Sequence, residues 1–422
     1  MSSAAVTPIW KAKLRYRTGP TGEPSLVACI ENVSQILSND VDFAGCFARN
    51  DLSGETELVR KLPVIVGQLP PRRGPVDSYV LSYTRMALSS VCSLSVGAEL
   101  AADGIEAAAR QRCYNPLHDY LRALTWDGTA RLGSWLSAYL GAERTLYTES
   151  VGRWWLVSAM ARAFRPGCQA DHVLVLEGPQ GVGKSTALGI LGGAWFVAKL
   201  PPVRDYAKAA HAMAGAWLVE MGELDAFRGA AGSQIKDFVS LAEDRYQPPY
   251  GRFVIRQPRS CIFAGSTNDA HYLRDATGAR RFWPVPVGRI DRDALTRDRD
   301  QLLAEARVAF EDGAGWWPTA DLADELAAQQ EARHDTDDWE QVIGSWLAAP
   351  SSGLDGCLSD LSQPRDGVTS VDVAKGALGV PAGDLTRDVL TRVGTALQRL
   401  GFTPKRLREQ GVRVRRYWRV PT

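Results

Sequence analysis

The sequence predicts an α/β fold built around a phosphate-binding loop, and three observations lead to this prediction. Residues 173–176 (VLVL) form a short apolar run, which is typical of a strand buried on both faces. Residues 178–185 then read GPQGVGKS and satisfy the pattern G-x-x-x-x-G-K-[ST] without a mismatch. Further apolar runs at 216–219 and 260–267 alternate with helical stretches, as in a sheet covered by helices. We therefore expect an α/β P-loop NTPase core.

Each residue type in the phosphate-binding loop has a physical role. Glycines allow backbone N–H groups to close around phosphate oxygens without a Cβ in the way. Lys184 would reach the β- and γ-phosphates, and the Ser185 hydroxyl would bind Mg²⁺. A chance match in a glycine-rich chain is the alternative, and the strand and helix that flank the motif argue against it. The expected cofactors are ATP and Mg²⁺, and the expected cofactor-binding residues are Gly178, Pro179, Gln180, Gly181, Val182, Gly183, Lys184, Ser185 and Thr186.

Two glutamates follow the second apolar run. A carboxylate at the end of a buried strand that faces the phosphate loop is what Mg²⁺ coordination requires, and a second carboxylate would polarise the attacking water. We assign the metal to Glu220 and the base to Glu223, although the two roles are interchangeable at this stage. The alternative is a pair of surface glutamates that begin a helix.

Polar residues at the end of the third apolar run complete the predicted catalytic set. Asn268 follows that run and would sense the γ-phosphate between the phosphate loop and the acidic strand. Arg280 and Arg281 precede the aromatic and apolar segment FWPVPV. An arginine that reaches a γ-phosphate stabilises charge in the transition state, and a neighbouring subunit often supplies it. The alternative is a pair of surface arginines.

Composition limits the classes of protein that fit. Of the 422 residues, 45% are hydrophobic and 23% are charged, as in globular rather than disordered chains. No apolar run approaches the roughly 18 residues of a membrane span, so we expect no membrane partner. The seven cysteines lack C-x-x-C spacing, which disfavours disulfides and zinc and favours a reducing cytoplasm. The net charge of +1 hides a basic C-terminal end, with eight Lys and Arg residues from Arg399 onward.

Patterning along the chain predicts six segments. Short runs at 26–30 (LVACI), 63–67 (PVIVG) and 79–83 (YVLSY) are expected to be strands of the first segment. The segments are an N-terminal α+β region of unknown role (1–110), a helical Trp-rich domain (111–170), the P-loop ATPase core (171–292), a helical acidic segment (293–349), a linker (350–367) and a basic winged-helix-like domain (368–422).

These motifs together resemble the virulence-associated protein E family, ATPases of phages and genomic islands that are similar to superfamily 3 helicases. The resemblance covers roughly 115–300. The segments that carry it are YNPLHDYL, LTWDGTARL, PGCQADHVLVLEGPQGVGKS, WLVEMGELDAF, KDFVSLAEDRYQPPYGR, RSCIFAGSTNDAHYLRD and TGARRFWPV. Two positions depart from the family pattern, because Gln247 replaces a usual arginine and Ala279 a usual asparagine.

The resemblance implies an AAA+-like core of the superfamily 3 type that assembles into a homo-oligomeric ring, for which a hexamer is one arrangement. ATP would bind between subunits, with Arg281, or Arg280 as the second candidate, supplied in trans. A loop between the acidic and sensor strands would contact single-stranded or forked DNA through Lys236, Arg252 and Arg256, with solvated surface charge as the alternative. A primase is a candidate partner, and the bacterial host cytoplasm is the expected location.

Two functions remain open at this stage. The first is an ATP-dependent DNA helicase or translocase that serves replication of a phage or mobile genetic element. The alternative is an ATP-switched DNA-binding initiator or regulator without unwinding activity, in which the C-terminal domain binds duplex DNA. A small-molecule P-loop kinase is disfavoured, because the paired arginines and the basic C-terminus would have no role in it.

Overall fold

The computed structural model describes residues 8–19, 22–221, 231–247, 254–269, 272–273, 279–333, 338–349, 367–409 and 412–419. The chain forms two compact units, of which the first holds most residues up to 329 and the second most residues from 330 onward. Among the described helices, none has the length and apolar character that a membrane crossing requires.

The N-terminal part of the first unit packs three helices against a small mixed sheet. The order of its strands is β5-β4-β3-β6, and β6 pairs parallel to β3. A buried cluster that includes Val33, Phe43, Tyr83 and Ile105 forms its core. The elements of this part are β1 Tyr16–Thr18, β2 Pro24–Leu26, α1 Ile30–Asn39, β3 Phe47–Asn50, β4 Glu55–Leu58, β5 Gly74–Pro75, α2 Ser78–Cys92, α3 Ala98–Ala109 and β6 Cys113–Tyr114.

The three strands predicted in this part are wrong. The run 26–30 leaves β2 after one residue and enters α1, and the run 63–67 lies outside helices and strands. The run 79–83 lies inside α2. This helix forms because Asp77 accepts a hydrogen bond from the Val80 N–H (2.8 Å) and caps its first turn. The buried residues of α2 recur three and four positions apart, which is the helical period.

A five-stranded parallel sheet forms the centre of the first unit, and the predicted α/β class is confirmed. The order is β13-β7-β12-β9-β8, and every neighbouring pair is parallel. The elements are α4 Pro116–Ala123, α5 Trp135–Leu140, α6 Leu146–Phe164, β7 Val173–Glu177, α7 Lys184–Gly192, β8 Phe196–Val197, α8 Tyr206–Ala212, β9 Leu218–Met221, α9 Ala231–Ser240, β10 Glu243–Tyr246, β11 Ile255–Pro258, β12 Ile262–Thr267, β13 Phe282–Pro286, α10 Arg292–Glu311 and α11 Ala323–Glu331.

Helix α6 is buried on nearly all sides and is hydrogen-bonded to the sheet. The Trp155 indole donates to the carbonyl of Phe263 in β12 (2.9 Å), and the Tyr147 hydroxyl donates to the carbonyl of Pro284 in β13 (2.9 Å). In return, the indole of Trp217, which immediately precedes β9, donates to the Ala159 carbonyl in α6 (2.9 Å). The tryptophans therefore fill the core, and their polar N–H groups fix the helix on the strands.

One hydrophobic cluster runs through segments that the sequence divides into separate domains. It joins Trp135 and Trp155 of the helical segment, Leu174 of the sheet and Leu302 of α10. The predicted boundaries at 170 and 292 therefore do not separate hydrophobic cores. The sequence pattern misses this because α6 and α10 are packed against the sheet, so their apolar faces are completed by residues distant along the chain.

An antiparallel hairpin, β10–β11, follows α9 and is held by a buried ion pair at its base. The Arg259 guanidinium binds both carboxylate oxygens of Asp244 (2.8 and 2.7 Å) and is fully buried. It also stacks over the Phe238 ring, 4.4 Å from the centroid. Because breaking a buried pair leaves an uncompensated charge, this contact fixes the position of the hairpin on the sheet.

The second unit has its own small core around Ile343, Val373, Leu397 and Tyr417. An ion pair between Arg399 and Glu340 (2.6 Å) joins its first and last helices. The predicted linker, 350–367, lies outside the described residues except for Gly367. The elements are α12 Asp338–Ala348, β14 Val368–Thr369, α13 Ser370–Gly376, α14 Arg387–Arg399, β15 Phe402–Glu409 and β16 Val412–Arg419, and the sheet order is β14-β16-β15.

We expect His172 to make stability depend on pH. Burial lowers the pKa of this histidine to about 4, and the charge of Asp171 opposes that shift. The imidazole ring stacks on the Trp283 ring, with 4.2 Å between the ring centroids. Between about pH 6.5 and pH 4 the unfolded chain therefore binds a proton that the folded chain does not, so the free energy of unfolding falls as pH falls, by on the order of 3 kcal/mol.

Urea unfolding between about pH 7 and pH 4.5 measures this dependence. His172→Phe, which keeps the aromatic stacking, should lose part of the slope. The exposed His211 provides the matched control, His211→Phe. Identical slopes for the wild type and His172→Phe would contradict the assignment.

Candidate active site

The carboxyl ends of three parallel strands bring predicted site residues to one edge of the sheet. Strand β12 lies between β7 and β9, with Thr267 opposite Glu177 and Gly265 opposite Met221. The chain leaves β7 towards β8 on one side and leaves β12 towards β13 on the other. Strands β7 and β12 therefore form the point at which the strand order reverses, where open parallel sheets bind their ligands.

Residues 178–183 form a tight turn between β7 and α7, and two glycines make the turn possible. Gly181 (φ 84°) and Gly183 (φ 101°) adopt backbone conformations that residues with a Cβ disfavour. The Gly178 N–H donates to the Thr267 carbonyl (3.2 Å), which fixes the turn to β12. Helix α7 begins at Lys184, and its first N–H groups have no acceptor within the helix. The turn thus presents a positive helix N-terminus at the reversal point.

Lys184 lies within this turn and is only 7% exposed. Its Nζ donates to the carbonyls of Gly178 (2.6 Å) and Pro179 (3.0 Å) and to Oδ1 of Asn268 (2.9 Å). Burial lowers the pKa of Lys184, and the Glu220 carboxylate opposes that shift. Asn268 itself is exposed. The structure therefore holds the ammonium against the end of β12, with an exposed amide beside it.

Glu220 is 2% exposed and lies in β9, next to the turn. Its Oε1 accepts hydrogen bonds from the hydroxyls of Ser185 (2.6 Å) and Ser266 (2.7 Å). No ion pair of Glu220 with a lysine or arginine is found in the part of the chain that the structure describes. A buried carboxylate without a directly paired cation is costly, and hydroxyl and carboxylate oxygens are ligands that Mg²⁺ prefers. The donor set fits this ion.

Within the described ranges, no three His, Cys, Asp or Glu side chains are grouped so that they could hold a metal ion by themselves. A Mg²⁺ site that uses one or two carboxylates together with substrate phosphates needs no such group. The contact between Ser185 and Glu220 therefore fits a Mg²⁺ site of this second kind.

The two predicted arginines lie at the opposite edge of the sheet. Strand β13 begins at Phe282, which is opposite Val173 at the start of β7. At about 3.3 Å per residue, Arg281 is on the order of 20 Å along the strand from the phosphate loop. Its Nε donates to Asp171 (3.2 Å) and to Ser240 (2.9 Å), whereas Arg280 is exposed. Neither arginine reaches Lys184 within one chain.

The remaining predicted residues have different outcomes. Glu223 and Arg252 lie outside the described residues, so their roles stay predictions. Lys236 is 8% exposed on α9, and this burial does not fit the direct DNA contact that the sequence suggests. The sequence misleads here because α9 turns this position inwards. Arg256 is exposed on β11.

Two residues that lie directly beside predicted site residues are absent from the sequence-based set. Ser266 donates to Glu220, and its position one residue before the end of a strand that neighbours β9 is the signal that identifies it. Arg245 is exposed and directly opposite Arg256 in the hairpin. Only the hairpin register reveals that Arg245 and Arg256 form a pair, because the two residues are eleven positions apart in the sequence.

Comparison with solved structures gives a likeness to the C-terminal region of NrS-1. One apo structure of that region (305–718) superposes with a TM-score of 0.49 and 9% identity, and covers 89% of this chain and 96% of the other. An A-form apo structure of the same region gives a TM-score of 0.47 and 10% identity with the same coverage. A search of curated proteins finds no match.

Comparison with protein families gives a match to the virulence-associated protein E-like domain over residues 121–335. The matched range contains the five strands of the central sheet, the glycine turn, Glu220 and the hairpin β10–β11. Because the match spans just over half of the 422 residues, the chain belongs to the virulence-associated protein E-like family.

Proposed function

We propose that this protein is an ATP-driven DNA helicase or translocase that serves replication of a phage or mobile genetic element. One observation carries the proposal. Lys184, Ser185, Glu220 and Asn268, which come from three separate segments of the chain, meet at the carboxyl ends of β7, β9 and β12. A buried cation, a helix N-terminus, a carboxylate and an amide at one point form the set of groups that phosphoryl transfer uses.

The chain's own groups have distinct tasks in this mechanism. Lys184 would exchange its bonds to the Gly178 and Pro179 carbonyls for bonds to the β- and γ-phosphate oxygens. Ser185 and Glu220 would hold Mg²⁺, whose charge neutralises that of the same oxygens. The amide of Asn268 would donate to the γ-phosphate, while Glu223 would orient the attacking water.

The completing arginine would come from a neighbouring copy of the chain, because the arginine pair of the same chain lies at the other edge of the sheet. Arg280 suits this task better than Arg281, which reverses the order that the sequence suggests. Arg280 is exposed, whereas Asp171 and Ser240 occupy the Arg281 guanidinium. We therefore propose a homo-oligomeric ring in which Arg280 reaches the nucleotide of the next subunit and Arg281 holds the end of β13 in place.

The hairpin β10–β11 would carry the DNA contact. Arg245 and Arg256 are directly opposite each other on its exposed face, while Asp244 and Tyr246 on the other face are buried. Like charges in directly opposite positions destabilise a strand pair unless an anion lies between them. A phosphate backbone supplies that anion, so the pair suits a single strand of DNA better than solvent.

A second candidate, an ATP-switched initiator without unwinding activity, is favoured by a different hairpin. Strands β15 and β16 set Lys405 opposite Arg416, Arg406 opposite Arg415 and Arg408 opposite Arg413. Four of these cations share one face, since alternate residues of a strand point the same way. This hairpin would serve as the wing of a winged-helix-like domain on duplex DNA. Strand displacement of a forked substrate with ATP and Mg²⁺ favours the first candidate, and ATPase stimulation without displacement favours the second.

Lys184→Ala should abolish ATP hydrolysis, with a loss of at least about 100-fold in kcat, because the phosphate charge loses its cation. Phosphate release measures the rate, and far-UV circular dichroism checks the fold. Arg110→Ala, at an exposed position on the N-terminal part, is the matched control. Retained turnover in Lys184→Ala would remove the glycine turn from the mechanism.

Mixing two inactive variants should restore activity if the site is shared. Lys184→Ala and Arg280→Ala each spoil one side of the interface, so a mixed ring contains some complete sites. The phosphate release rate is measured against mixing ratio, with Lys184→Ala and Arg281→Ala mixed in parallel. Complementation by Arg280→Ala and not by Arg281→Ala is the expected result. No recovery at any ratio with either arginine variant would contradict an arginine supplied in trans.

The double variant Arg245→Ala/Arg256→Ala should bind single-stranded DNA about 10-fold more weakly than the wild type. Its affinity should also depend less on salt. The slope of the logarithm of the binding constant against the logarithm of the salt concentration should be smaller by about 0.7 for each lost phosphate contact. Fluorescence anisotropy at several salt concentrations measures both quantities. Arg110→Ala/Arg153→Ala removes two exposed arginines elsewhere and serves as the control. An unchanged slope in the hairpin variant would exclude these phosphate contacts.

A further inference from the structure

The segment that follows β13 borders the phosphate-binding turn at both of its ends. The carbonyl oxygen of Val287 lies 3.2 Å from the place that a Cβ on Gly178 would occupy. The Arg292 Cδ lies 3.7 Å from the corresponding place on Gly183. Any group bound at the turn would therefore have this segment, 287–292, as a direct neighbour.

The backbone of this segment is fixed by hydrogen bonds to elements around it. The Val287 N–H donates to the Glu177 carbonyl (2.8 Å), and the Asp291 N–H donates to the Tyr139 carbonyl (2.8 Å). Asp291 also accepts from the Ala294 N–H (2.9 Å) and caps α10. A site on this segment is therefore formed before any ligand arrives, which reduces the entropy lost on binding.

The same segment and the first turns of α10 line an open cavity of about 580 Å³, within the usual size of a small-molecule site. Three arginines, Arg289, Arg292 and Arg297, line it together with the carboxylates of Asp291 and Asp293 and the half-buried Ile290. Arg297 pairs with Asp298 (3.2 Å). For the guanidinium of Arg292, no hydrogen bond or ion pair is found among the described residues. Donors and a planar cation beside an apolar side chain suit a sugar and an aromatic base.

The position of the cavity relative to the sheet indicates how a bound nucleotide would be oriented. Lys184, Asn268 and Glu220 lie where β7, β12 and β9 end, whereas the cavity follows β13 on the other side of β7. A linear triphosphate at the N-terminus of α7, with its terminal phosphate at Asn268, would extend away from β12 and towards β13. Its nucleoside end would thus arrive at Arg292.

We propose that the cavity between Arg289 and Arg297 takes the nucleoside of the bound nucleotide, with Arg292 as its polar contact. This inference rests on the proposed ATPase function and adds a nucleoside subsite to it. Arg289, which is exposed and lines the same cavity, offers a guanidinium plane on which a base can stack. The phosphates would remain with the glycine turn, so the two subsites contribute separately to affinity.

Isothermal titration of ADP and of inorganic tripolyphosphate separates the two subsites, because the second ligand lacks a nucleoside. Arg292→Ala should weaken ADP binding about 10-fold and leave tripolyphosphate binding within about twofold of the wild type. Arg289→Ala should act in the same direction, and Arg110→Ala should change neither affinity. Thermal unfolding confirms that each variant is folded.

Unchanged ADP affinity in both Arg289→Ala and Arg292→Ala would overturn the nucleoside subsite while leaving the phosphate site intact. An equal loss for ADP and tripolyphosphate would also overturn it, since Arg292 would then serve the phosphates. A wild-type protein that binds neither ligand would overturn the proposed ATPase function itself, and this result is distinguishable from the other two.

Discussion

The placement of β12 between β7 and β9 is the constraint on which the rest of this site depends. It sets Asn268 within 2.9 Å of Lys184, and it brings Ser266 within 2.7 Å of Glu220. Both contacts join segments that are dozens of residues apart. The parallel register fixes them, because a shift by one residue would turn every side chain of β12 to the other face. Helix α6 fixes that register in turn through the bond from Trp155 to the β12 backbone.

A second set of contacts connects the sheet to the hairpin β10–β11. Asp244 at the base of the hairpin is paired with the buried Arg259, just before β12. Ser240, at the end of α9, accepts from Arg281 at the start of β13. Both connections are short and specific, so a displacement of the hairpin by DNA would act on the strands that carry Asn268 and the arginine pair. The fold thus offers a direct mechanical route between the hairpin and the proposed site of phosphoryl transfer.

The sequence predicts the local parts of this arrangement well. An apolar run followed by the glycine motif is enough to predict β7, the turn and α7, since their pattern depends on neighbouring residues. The run 79–83 misleads, because strand-like apolar residues join a helix once Asp77 caps it. Lys236 and Arg245 could not be placed, because burial and cross-strand register arise only from packing. Arg281 is a similar case, since its partner Asp171 belongs to another segment.

The central claim is that hydrolysis takes place at a cleft shared by adjoining copies of the chain. Sedimentation velocity of the 46.0 kDa chain, with and without a nonhydrolysable ATP analogue and Mg²⁺, tests this claim most directly. The account predicts that the analogue shifts the protein to a closed assembly of several copies. A protein that stays monomeric under every condition, yet hydrolyses ATP at its full rate, would contradict it.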